Sequence, residues 1–278
     1  MHTDSRWLTQ KRDFDRDGFV VVRRFLDDAE LATLGDNLAR YIRDVVPRLP
    51  PAAAFFQDRA RPETLKQLQH MGCDPFFRDY VRHPKWVELA EALVDERAQC
   101  EAPEWFDKPP LGPIRTPPHP TLPHRGGEGL SDRPSIVHAT PPHQDNFYFC
   151  LKPPRVVTIW LALDAVDEKN GCLRYVTGSH LRGLRPHAPS AVLGFSQAIT
   201  DYGPQDEERE APIHLAPGDA VAHHGETIHR AEANRSTTRH RRAFAMVFQG
   251  EGCLRDEHAY ARYQASLKTQ QQSLGIGG

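Results

Sequence analysis

The residues best suited to chemistry are His143 and Asp145, in His143-Gln144-Asp145, and a downstream group at His223, His224 and His229. Side chains alternate across an extended chain, so an imidazole and a carboxylate two residues apart are predicted to share one face of a strand over 143–150. A third imidazole from elsewhere in the chain completes three ligands on one side of a metal and leaves positions open on the other. Non-haem Fe(II) centres use that ligand set for oxygen chemistry. The candidates for the third ligand are His180, His187, His223, His224 and His229. The motif alone is weak, because the chain has 15 histidines and repeats the pattern at His2-Thr3-Asp4, with a His-x-Glu at His224-Gly225-Glu226. The terminal copy reads as a solvated chain end, so context favours His143.

The elements that must position these residues follow from periodicity. Gly18-Phe19-Val20-Val21-Val22 reads as a short strand. Asp27 or Asp28 then caps a helix with apolar positions Leu31, Leu34, Leu38, Ile42 and Val45, ended by Pro47 and Pro50-Pro51. Further helices are predicted over 62–70 and 84–95, the second presenting Trp86, Leu89 and Leu93 on one face. From about residue 99 the pattern changes to short strands near 100–107, 143–150, 155–164, 172–176, 219–223 and 241–249. A helix near 256–269 and a Gly-rich tail follow. The fold class is therefore mostly β with flanking helices. We expect one domain: a helical part over about 1–98, a sandwich or jelly-roll core over about 99–250, and a C-terminal helix over about 256–270.

One stretch breaks the pattern. Thr116-Pro117-Pro118-His119 recurs as Thr140-Pro141-Pro142-His143, and the intervening residues are rich in Pro and Gly without period. Residues 116–139 read as an inserted loop with a duplicated flank; the competing reading is an ordinary Pro-rich loop with a chance repeat.

Composition bounds the partners. The chain has 278 residues and a net charge of −2, which gives no reason to expect nucleic acid or an acidic membrane. No apolar run approaches about 18 residues, and the start lacks the apolar core of a signal peptide. Five cysteines, odd in number and without Cys-x-x-Cys, read as reduced thiols of a cytoplasmic protein. A small-molecule substrate remains; oligomeric state is not legible.

Three stretches carry a resemblance: Pro142-His143-Gln144-Asp145, Asn170-Gly171-Cys172 through Gly178-Ser179-His180, and Gly218-Asp219 through His224 and His229 to Asn234-Arg235-Ser236 and Arg241-Arg242-Ala243. With Phe14–Phe25 as an opening strand, the chain resembles the phytanoyl-CoA dioxygenase (PhyH-like) family of Fe(II)/2-oxoglutarate-dependent oxygenases over roughly 14–250. The resemblance implies a double-stranded β-helix (jelly-roll, cupin-like) core, and that His143, Asp145 and His229 hold Fe(II), with His224 as the rival third ligand or a neighbour. It implies 2-oxoglutarate as co-substrate, O2 as oxidant, and Arg241 as anchor of the distal carboxylate, with Arg239 and Arg242 as alternatives. Paired, charge-assisted bonds from a guanidinium suit that task. Trp160 resembles the family's tryptophan beside the co-substrate, Thr158 shares its face, and Lys108 lies in a Lys-Pro-Pro approach to the iron strand. Asn146, Phe147 and Tyr148 are placed to shape the substrate pocket, Arg174 to meet an anionic substrate or solvent, and His180 to hold a turn at the pocket rim.

The implied reaction is hydroxylation of an unactivated C–H bond of a small metabolite, with release of succinate and CO2. The resemblance favours hydroxylation over halogenation, because related halogenases lack the carboxylate that Asp145 supplies. Two competing readings are a non-redox cupin-like metalloenzyme, which has no use for Arg241, and an inactive family member compromised by the insert beside His143.

Overall fold

The computed structural model describes residues 5–56, 58, 60–111, 139–190 and 197–273, with the side chains of 270–273 left aside. Of the proposed insert 116–139 only Ala139 falls among them. Two antiparallel sheets face each other. The larger is eight-stranded, in the order Phe19–Val22, Ala220–His224, Val156–Ala162, Arg241–Gly250, Pro103–Lys108, Leu65–Leu68, Ala54–Phe56, with Ala98–Gln99 pairing on Arg241–Gly250. The smaller has the order Glu210–Pro212, Leu173–Val176, His229–Ala231, Thr140–His143. This is the expected jelly-roll class with flanking helices.

Alternation along the central strands sorts the side chains into two cores. Val157, Ile159 and Leu161 pack with Ala222, Phe244, Met246 and the helices. Trp160 and Ala162 pack between the sheets with Tyr175, Val221, Ala243 and Ala245. A strand buried on both faces reads as an unbroken apolar run, and all seven residues of Val156–Ala162 are buried.

The helical layer covers the outer face of the larger sheet. The helix Asp28–Asp44 starts with a capping box: Asp27 Oδ1 accepts from the Ala29 and Glu30 amides at 3.0 and 2.9 Å, and the Asp27 amide donates to Glu30 Oε2 at 2.8 Å. Its Leu34, Leu38 and Tyr41 are buried. The helix Pro84–Val94 buries Trp86, Leu89 and Leu93, and Phe25 meets the Trp86 ring edge-on at 4.9 Å.

Two expected elements differ. Residues 62–70 do not form a helix: a 3-10 turn over Pro62–Thr64 leads into the strand Leu65–Leu68, which pairs with both Ala54–Phe56 and Pro103–Lys108. Sheet pairing outweighs local helix propensity there, and the helix lies later, at Pro75–Tyr80. The strand expected over 143–150 ends at His143. Asp145 has helical angles (φ −59°, ψ −37°) and begins a short helix over Asn146–Phe149.

Candidate metal centre

His143 and His229 stand directly opposite each other on neighbouring strands of the smaller sheet, and their rings lie 4.1 Å apart. Asp145 reaches the same point through a turn and not by strand alternation. Gln144 makes that turn. Fully buried, it donates to the carbonyls of Gly183 (3.0 Å) and Glu226 (2.7 Å) and accepts from the Arg185 amide (2.8 Å). The Asn146 amide donates to the Gly225 carbonyl at 2.8 Å, and a Cβ on Gly225 would come within 2.3 Å of Val156 Cγ1. The chain therefore passes closely behind the ligands.

The donor atoms converge. One atom from each of His143, Asp145 and His229 lies within 4.8 Å of the other two, and both Nε2 atoms stand 3.5 Å from Asp145 Oδ1. Each ligand histidine has its Nδ1 against a backbone carbonyl, Pro141 O at 2.8 Å and Thr227 O at 3.0 Å. A carbonyl only accepts, so Nδ1 carries the hydrogen and Nε2 keeps its lone pair for a metal. Two imidazole nitrogens and a carboxylate, with no fourth protein donor in the group, fit a divalent transition ion with open positions.

The second carboxylate oxygen is already engaged. Thr158 Oγ1 donates to Asp145 Oδ2 at 2.7 Å, and His223 Nε2 lies 3.0 Å from the same atom. The other His223 nitrogen meets Tyr175 Oη at 2.9 Å. Oδ1 is thus left toward the imidazoles. Burial works against ionisation of Asp145, yet His229, His143 and His223 hold its carboxyl well below the usual range.

His223, and not His224, joins the site. On Ala220–His224, Val221 and His223 point between the sheets, whereas Ala222 and His224 point toward the helices. His224 sits 5.4 Å from the His180 ring and 6.1 Å from Phe14. His180 belongs to that outer layer too, its Nε2 3.2 Å from the Asp15 carbonyl, so it does not stand at the pocket rim. Its turn still serves the site through Ser179, whose Oγ accepts from the Ile228 amide at 2.8 Å, beside His229. His187 stacks on Phe147 at 4.1 Å and accepts from the Gln144 amide at 3.3 Å.

The arginines separate as alternation requires. Arg241 is buried with Ala243 and Ala245 on the inner face, its guanidinium 5.2 Å over the Trp160 ring. Its Nε has no hydrogen-bond partner, and among the described residues no carboxylate pairs with it. Burial pushes its pKa down to about 10. Arg242 points outward to Asp164 at 2.7 Å, and Arg239 binds Asp167 at 2.8 Å. The Asn234–Ser236 turn sets this strand's entry: Asn234 Nδ2 donates to the carbonyls of both Lys108 and Arg239 at 2.7 Å.

Lys108 lies directly opposite Arg241 and is buried, with Nζ donating to the Glu232 carbonyl at 2.6 Å. Burial, then the Arg241 charge, lowers its pKa well below the lysine range. Arg174 faces neither substrate nor bulk solvent alone: Nη1 stands 3.8 Å from Glu210. Asn146 is occupied structurally, exchanging bonds of 3.1 Å with both backbone groups of Leu151. Tyr148 stands 5.9 Å from the His143 ring, its hydroxyl donating to the Gln197 carbonyl at 2.9 Å. Sequence reasoning missed Tyr175 and the roles of Gln144 and His223; only the inward alternation of Ala220–His224 signals His223.

A jelly roll carrying a two-histidine, one-carboxylate triad beside a buried, carboxylate-free arginine defines the class of Fe(II)/2-oxoglutarate dioxygenases. Comparison with known proteins agrees. The family profile of phytanoyl-CoA dioxygenase (PhyH) matches residues 14–243, and the chain belongs to that family. Peroxisomal phytanoyl-CoA dioxygenase of Mus musculus is 24% identical over 259 residues, covering 88% of this chain and 69% of the relative. Phytanoyl-CoA dioxygenase 1 of Oryza sativa subsp. japonica is 32% identical over 123 residues, 44% of this chain and 43% of the relative. Two solved structures share the fold. The epimerase SnoN in complex with Fe3+, alpha ketoglutarate and nogalamycin RO gives a TM-score of 0.62 at 22% identity, covering 90% of this chain and 86% of SnoN. The carbocyclase SnoK from nogalamycin biosynthesis gives 0.64 at 20% identity, with 94% and 92% covered. Among the described residues no helix is long and apolar enough to cross a membrane.

Proposed function

We propose that the enzyme hydroxylates an unactivated C–H bond of a small-molecule metabolite, consuming 2-oxoglutarate and O2 and releasing succinate and CO2. The observation that carries this reading is the convergence of His143 Nε2, His229 Nε2 and Asp145 Oδ1, with Arg241 buried and unpaired on the same inner face. When bound, Fe(II) with 2-oxoglutarate supplies the activation of O2 that no side chain can provide.

The chain's own residues divide the remaining work. His143, Asp145 and His229 hold the ion; Thr158 and His223 fix the carboxylate so that one oxygen faces it. Arg241 takes the distal carboxylate of the co-substrate, where its unpaired Nε and its orientation over Trp160 favour a planar anion. Lys108 lies opposite Arg241, where burial and the Arg241 charge disfavour its charged form, and it offers Nζ as a hydrogen-bonding group. The apolar layer of Trp160, Ala243, Ala245 and Leu173 excludes water around these charges. Asp145 occupies the ligand position that a halide would need, which supports hydroxylation. A zinc-type hydrolytic site would leave Arg241 without a task.

The test is anaerobic addition of Fe(II) and 2-oxoglutarate, which is expected to produce a weak visible charge-transfer band. Its absence, together with no succinate formation in air across a metabolite panel, would remove the proposal.

A further inference from the structure

The inner face of the strand Pro103–Lys108 carries an acid that the proposed chemistry does not use. Trp105 packs on the helix side and Phe106 between the sheets, so Glu104 shares the inner face with Phe106 and Lys108. Glu104 stands opposite Ala245, itself opposite Trp160, which places the three in one row across the sheet. The other shielded carboxylates have partners: Asp74 has Arg40, Asp219 has Arg23, Glu210 has Arg230, Asp107 has His240 and Glu226 has Asn146. Among the described residues nothing donates to Glu104. Burial, then the Asp145 charge, pushes its pKa up to about 7. Gln67, 8% exposed, pairs opposite Phe106 and so shares this face, and its amide has no partner among the described residues.

Glu104 is half-buried and its carboxyl oxygens stay accessible, so a cationic group entering this face can reach an acid that no described side chain neutralises. We propose that Glu104, with Gln67 beside it, is the specificity-determining acid of the pocket and that the substrate carries a protonated amine. The inner face is then polarised across two neighbouring strands, with Arg241 at one end for the co-substrate's anion and Glu104 at the other for a cation. The inference rests on the oxygenase reading above for its chemistry, but not for its binding.

The experiment measures succinate release by the Fe(II)-loaded enzyme with 2-oxoglutarate and a panel of small primary amines, each paired with its N-acetyl counterpart. Binding of the same pairs to the metal-free protein is followed by calorimetry. At least one amine is expected to stimulate turnover and bind at least about tenfold better than its N-acetyl partner, a difference of about 1.4 kcal/mol. Glu104→Gln is expected to collapse that ratio toward one, and Glu104→Asp to retain it. Because the ratio is taken within each variant, a general loss of activity does not mimic the effect. Neutral compounds performing as well as amines, no amine binding, or an unchanged ratio in Glu104→Gln would each overturn the proposal. Glu104-dependent amine binding with no succinate under any condition would uphold it and remove the oxygenase reading instead.

Discussion

His223 Nε2 lies 3.0 Å from Asp145 Oδ2, and through its other nitrogen His223 is joined to Tyr175 Oη at 2.9 Å. With Thr158, His223 thus holds the Asp145 oxygen that faces away from the His143 and His229 imidazoles. Groups that orient a metal's ligands typically contribute about 10–100-fold to affinity or activity. His223→Phe is therefore expected to weaken Fe(II) binding by about tenfold or more, and Tyr175→Phe by less, since it leaves the His223–Asp145 contact in place. Competition with a metal-sensitive dye measures both. Wild-type affinity in His223→Phe would show that Thr158 alone orients the carboxylate.

Asp145→Ala removes the only carboxylate among the three converging donors. Succinate formation is expected to be abolished with the fold intact by circular dichroism. Retained substrate-coupled turnover would exclude Asp145 as a ligand.

Arg241 and Arg242 make an internal control. Truncating one partner of a buried charged pair costs about 2–5 kcal/mol. Arg241→Ala is therefore expected to raise the KM for 2-oxoglutarate by about thirtyfold or more. Arg241→Lys also raises it, since an ammonium lacks the paired geometry. Arg242→Ala, which loses only an exposed pair with Asp164, should leave that KM close to wild type. Equal effects at both positions would contradict the assignment.

Asp74 links stability to pH. It caps the helix Pro75–Tyr80 and receives both Arg40 nitrogens, at 2.9 and 2.8 Å. The Arg40 hydrogen bond, outweighing burial, holds its carboxyl below the ordinary value. A depressed folded-state pKa contributes stability above the unfolded value of about 3.9 and loses it as pH falls through the folded one. Asp74→Asn is expected to cost about 1–3 kcal/mol at pH 7 in urea unfolding, with the gap closing under acid conditions. A gap independent of pH would assign the loss to capping alone.

Deleting Thr116–Ala139 joins Arg115 to Thr140, the first residue of the strand that ends in His143. Loop length changes closure entropy slowly, so the shortened chain is expected to fold with a melting temperature within a few degrees of wild type. Failure to fold would show that these residues belong to the original architecture.

Much of the fold was legible because its signals are local. The Asp27–Glu30 box, the spacing of Leu34 and Leu38, and the apolar run Val156–Ala162 depend on neighbouring residues. The misreading of 62–70 as a helix has the opposite cause: Leu65–Leu68 is a strand because two distant segments pair with it.

The sequence by itself determined the candidate metal-binding residue types and the family they belong to, and it left Arg239, Arg241 and Arg242 as alternative anchors for the co-substrate. Tertiary structure decided the rest. It put Asp145 on a turn held by Gln144, and it chose His223 over His224 as the neighbour of Asp145. It left Glu104, on the inner face of its strand, without a partner among the described residues. Each of these depends on which groups from distant strands share one enclosed volume, and spacing along the chain does not carry that information.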